Sequence, residues 1–149
     1  MKRRSRLNHF LYLPSLITLV LACVTVGSAP AVPNPFLYLT KIRTMADKGV
    51  VRYEFDVSNK DAFPAEMFAP APDLPPCGKN TKSSRTWLDF YTEKGKRLYG
   101  FCALTKPADL GSIWFELPND TVPPSWVYIE LNDRKTDTKY KSNPAETSQ

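Results

Sequence analysis

The sequence predicts an all-β domain, a single antiparallel β-sandwich of about seven strands. Three observations lead there. Short segments rich in Val, Ile, Tyr, Phe, Trp and Thr recur between turn residues along most of the chain. One of them, VVRYEFDVS (Val50–Ser58), alternates Val51, Tyr53, Phe55 and Val57 with Arg52, Glu54 and Asp56, the period of a strand with one buried face. No apolar stripe of helical period runs longer than a turn or two.

The first 31 of the 149 residues stand apart. Lys2, Arg3, Arg4 and Arg6 precede an apolar run, FLYLPSLITLVLACVTV, and small residues follow in GSAPA. A charged, then apolar, then small-residue order is that of an export signal, which places residues 1–31 outside the folded domain. The run is also close to the length of a short spanning anchor. Val20-Leu21-Ala22-Cys23 resembles a permissive bacterial lipobox, with Cys23 as the lipidated residue. Two expectations therefore stand for location: a soluble periplasmic or secreted protein, or a lipoprotein held by Cys23. In either, the membrane is touched only through the signal or lipid. Four of the 20 Lys and Arg and none of the 15 Asp and Glu lie in this leader, leaving 16 cations against 15 anions. The basic balance belongs to the leader, so nucleic acid is not an expected partner.

After the extended lead-in Val32-Pro33-Asn34-Pro35, the expected strands are Phe36–Thr44, Val50–Ser58, Thr86–Thr92, Lys96–Leu104, Ser112–Leu117, Trp126–Leu131 and Thr138–Ser142. Turn residues separate them at Asp47-Lys48-Gly49, Gly95, Pro107 to Gly111, Pro118-Asn119-Asp120 and Pro123-Pro124. Phe63 to Gly78, FPAEMFAPAPDLPPCG, is too proline-rich for a helix or central strand and is expected to run extended over the surface. The domain spans residues 32–143, and the polar tail 144–149 is expected to fray. This strand count and spacing fit an immunoglobulin- or fibronectin-III-like sandwich, with a small barrel as the alternative.

Outside the leader two cysteines remain, Cys77 and Cys102. In an exported protein such a pair is expected to be a disulfide, here closing a loop of about 26 residues for roughly 3.5 kcal/mol on the chain-entropy account. Their spacing is not that of a redox Cys-x-x-Cys, and two thiols do not make a zinc site. The only histidine, His9, lies in the leader, so Ser-His-Asp and Cys-His catalysis and histidine-bound metal are not expected. No cofactor or metal is called for.

A two-residue turn at Lys94-Gly95 would pair Tyr91 with Leu98, Asp89 with Gly100 and Trp87 with Cys102. Leu88, Phe90, Tyr99, Phe101 and Ala103 would then face the core, and Trp87, Asp89 and Tyr91 the other side. Two aromatics flanking a carboxylate suit a sugar or a peptide. The competing expectation is that Phe68 and the prolines cover Trp87. Asn80 and Arg85, in the basic connection after Cys77, complete the candidate binding set. Asn132 to Asp137 reads as a hairpin loop rather than a calcium site, because Arg134 and Lys135 interrupt its oxygen donors.

The strings PDLPPCGKN, SRTWLDFY, GKRLYGFCAL, PPSWVYIELNDR and YKSN resemble small exported bacterial proteins of uncharacterised function, over most of Val50 to Asn143. The resemblance implies export and an all-β fold and carries no activity over to this chain. The functional expectation rests on the fold type, the aromatic content and the missing nucleophile–base set. The expected function is accordingly a non-catalytic exported module that binds a protein or glycan. The alternatives are a structural envelope lipoprotein, or a small hydrolase pairing Asp89 with an acid such as Asp73.

Overall fold

The computed structural model describes residues 31–76 and 84–148. The leader with Cys23, and Cys77 and Asn80, lie outside the described residues. Eight strands form: β1 (Leu37–Met45), β2 (Val50–Val57), β3 (Thr86–Thr92), β4 (Arg97–Phe101), β5 (Ile113–Pro118), β6 (Trp126–Asp133), β7 (Thr138–Lys141) and β8 (Ala145–Glu146). They make two antiparallel sheets. One has the order β1-β2-β5; the other runs β4-β3-β6-β7, with β8 also on β6.

The alternation in β2 has the predicted consequence. Tyr53, Phe55 and Val57 are buried, and Arg52, Glu54 and Asp56 face outward. The aromatic centre of the core joins both sheets. Phe55 of β2 and Phe115 of β5 each meet Phe90 of β3 at ring centroid distances of 5.4 Å. Leu37, Leu88, Ile113, Val127, Ile129 and Leu131 close around them, all essentially inaccessible. This shared apolar layer, buried from both sides, is what holds the sheets together. Among the described residues no helix is long and apolar enough to cross a membrane.

Two expectations are corrected here. The proline-rich segment does not begin as a surface ribbon. Entered through a 3-10 turn at Lys60–Ala62, it forms a second at Ala65–Phe68 and buries Phe63, Met67 and Phe68 in the main core. Prolines forbid a long regular element but permit one-turn pieces, and three large apolar side chains supply the driving force. The Thr86 hydroxyl donates to the Met67 carbonyl at 2.6 Å and the Arg85 amide to the Ala69 carbonyl at 3.0 Å, tying the segment to β3. The tail, too, is ordered. Ala145 and Thr147 are buried, β8 pairs with Trp126 and Val127, and Thr147 donates its hydroxyl hydrogen to the Pro124 carbonyl. Asn143 grips both the amide and the carbonyl of Leu37, joining the tail to β1.

Candidate functional site

The β3–β4 hairpin sets the geometry of the candidate face. Its turn has three residues, Glu93-Lys94-Gly95, rather than two: the Gly95 amide bonds to Thr92 O and the Thr92 amide to Lys96 O. Gly95 sits at φ +75°, the left-handed position that such a loop assigns to glycine. The longer loop moves the register by one, so Tyr91 faces Arg97 instead of Leu98. A one-residue bulge at Leu98 then moves it back, giving Phe90 opposite Tyr99, Asp89 opposite Gly100 and Leu88 opposite Phe101. The predicted sheet faces therefore survive for β3, through two departures that cancel.

Leu88 and Phe90 are in the core as expected, while Trp87, Asp89 and Tyr91 lie half-buried on the outer face. On β4 the core assignment holds only for Phe101, which packs half-buried against the core. Ala103 is exposed beyond the strand end. Tyr99 is 37% exposed and forms, with Phe101 and Trp114, an aromatic cluster at the sandwich edge. An edge strand has no neighbour on one side to complete its burial. Nor does Phe68 cover Trp87, since Phe68 belongs to the main core. The group over Trp87 is the Arg134 guanidinium, 3.6 Å from the ring centroid, whose Nη1 donates to Pro75 O at 3.3 Å.

Strand β6 extends this face. Its inward residues Val127, Ile129, Leu131 and Asp133 are buried, so Trp126, Tyr128, Glu130 and Asn132 point outward beside β3. Pairing sets Trp87 against Asn132, Asp89 against Glu130 and Tyr91 against Tyr128. The two tyrosine rings stack at 5.3 Å, and Lys141 of β7 lies 3.9 Å from the centroid of Tyr128. Asp89 and Glu130 would repel as directly opposed carboxylates. Each has a cation: Arg97 Nε donates to Asp89 at 2.7 Å, and Lys139 is 3.8 Å from Glu130. Gly100 makes the first pair feasible, because a Cβ there would collide with both Arg97 and Asp89. Burial, then the charges of Asp89 and Glu130, raises the Tyr91 hydroxyl above its ordinary pKa. Trp87 Nε1 and Asn132 Oδ1, cross-strand neighbours, are buried with no hydrogen-bond partner.

Arg85 is used structurally. Its guanidinium forks onto the buried Asp133 carboxylate through Nε at 2.6 Å and Nη2 at 2.5 Å. Arg85 also borders a cavity of about 230 Å³ with Glu66, Asp73 and Lys135. Asp73 thus has Glu66 as a fellow lining carboxylate, while Asp89 stands on the outer sheet face in its pair with Arg97. Among the described residues no three metal-ligating side chains converge. Cys102, just beyond β4, is half-buried and does not stand as a free titrating thiol.

Sequence reasoning missed Trp126, Tyr128, Arg134 and Lys141 as members of the face. The signal for the first two was present in WVYIEL, where Val127, Ile129 and Leu131 mark the inward set. The two cations could not be placed without the β6–β7 pairing. No family model, no curated protein and no solved structure matches the chain.

Proposed function

We propose that the chain is an exported, non-catalytic binding module of immunoglobulin- or fibronectin-III-like build, which engages a macromolecular partner through the outer face of its five-stranded sheet. One observation carries this reading: Trp87, Tyr91, Trp126 and Tyr128 share that face, half-buried or exposed, although a fully buried apolar core was available to aromatics. Large aromatic side chains dominate interface energetics and cost little conformational entropy to hold in place. Trp126 remains 37% exposed. The side chains stand on hydrogen-bonded strands paired in register, which favours a surface organised before the partner arrives.

The fold reading is supported by strand order. The first, second and fifth strands pair in one sheet, and the third, sixth and seventh in the other, as in the ABE and CFG groupings of that architecture. Export is supported by the leader's charge and hydropathy order. A Cys77–Cys102 disulfide is supported by the export reading and by Cys102 not being a free thiol. Two titratable thiols in the unreduced, exported chain would contradict it. The absence of a histidine beyond the leader favours binding over acid–base or nucleophilic chemistry.

A photo-activatable phenylalanine analogue placed at Tyr128, in cells that produce the protein, tests the face. The expected result is a discrete adduct from Tyr128 and none from Tyr38 on the three-stranded sheet. Equal labelling from the two positions, or none from either, would overturn the reading.

A further inference from the structure

We propose that the partner of this face is an acidic polypeptide segment, with two of its carboxylates docking on Arg134 and Lys141. This deepens the binding reading and rests on it. The argument begins with charge. All 15 aspartate and glutamate side chains lie among the described residues, yet none of them pairs with Arg134 or Lys141. Each of these cations is instead held on an aromatic ring, Arg134 on Trp87 and Lys141 on Tyr128. Arg134 also donates through Nη1 to Pro75 O, and both cations retain further N–H donors that an anion can take up. Of the acids already on the face, Asp89 is paired with Arg97. Glu130 lies across from Lys141 in the β6–β7 register but has its ion pair with Lys139, which leaves the Lys141 ammonium on Tyr128 without a carboxylate within 4 Å. Glu146, across from Trp126, marks the end of the face that an acidic residue would avoid.

The same contacts speak against a neutral sugar. A pyranose stacks on a bare ring, and the chain's own cations already cover Trp87 and Tyr128. A carboxylate keeps both cation–ring contacts; a stacked sugar must displace them. Trp87 pairs with Asn132, four residues from Tyr128 along β6, which is about 13 Å at strand rise. An extended peptide covers that distance between positions i and i+4, so acids at that spacing match the two cations.

The test titrates the purified full chain with a (Glu-Ser)5 peptide and its (Gln-Ser)5 counterpart, followed by amide and indole NMR shifts. A galacturonate trimer and a neutral N-acetylglucosamine trimer are run alongside. The expected result is saturable shifts at Trp87, Tyr128, Arg134 and Lys141 with the glutamate peptide alone. Affinity should fall roughly tenfold in Arg134→Ala and in Lys141→Gln, and should fall again as salt rises. Lys141 is an exposed side chain on an edge strand, so its variant reports on binding even if Arg134→Ala unfolds. Equal binding of (Gln-Ser)5, or tighter binding of either sugar at these residues, overturns the acidic-peptide proposal while leaving the binding face intact. Shifts from the glutamate peptide elsewhere on the chain, or from no probe at all, overturn the proposal as well. Adduct formation at Tyr128 then decides separately whether the face binds anything.

Discussion

At the scale of single residues, Asp133 shows how a strand end is fixed. The residue is 2% exposed, and its carboxylate accepts both arms of Arg85 and also the Lys135 amide at 3.1 Å. Burial works to raise its pKa. The Arg85 hydrogen bonds, with those from Thr136 and Lys135, outweigh that and hold the carboxyl below its ordinary value. A carboxyl depressed in the folded state adds stability above its unfolded pKa of about 3.9 and loses it as pH falls through the lower folded value. Arg85→Ala leaves that carboxylate buried and unpaired, which should cost roughly 3 kcal/mol at neutral pH. Urea denaturation of wild type and variant at neutral pH and near pH 3 checks this. The gap should narrow in acid, as protonation removes the charge that Arg85 compensates; an equal gap at both pH values would contradict it. The sequence placed Arg85 in a binding set and Asp133 in a loop because a cation–anion pair 48 residues apart leaves no local pattern.

At the scale of elements, alternation decided what could be read in advance. Strands with one face in the core, β2 and β3, appear with the expected bounds to within a residue, because burial on one side imposes a period of two. Strand β4 is shorter than its apolar run, since an edge strand can leave residues such as Ala103 unpaired. The hairpin was misread in its turn and bulge, and its inner register was still right, because the extra turn residue and the bulged Leu98 shift pairing in opposite directions. The 3-10 turns at the start of the proline-rich segment and just before it were hidden by composition. Proline content reports what the backbone cannot do, and Phe63, Met67 and Phe68 found the core through single turns too short to show a period. The two-residue β8 was invisible for the same reason.

At the scale of the whole molecule, the two sheets present different outer surfaces. The three-stranded sheet turns out ion pairs such as Arg43–Glu54 and Arg52–Glu116, with two aromatics that are tied to those charges, Tyr38 bonded to Asp56 and Trp114 under Arg52. The five-stranded sheet turns out four aromatics and two cations with no carboxylate partner among the described residues. The function proposed above requires the aromatic face to be covered where the protein works. Hydroxyl-radical footprinting on native envelopes and on the purified chain measures this most directly. Trp126 and Tyr128 should oxidise several-fold more slowly in the envelope than in the purified protein, while Tyr38 and Tyr99 oxidise alike in both. Equal oxidation of Trp126 and Tyr128 in the two preparations would contradict the account.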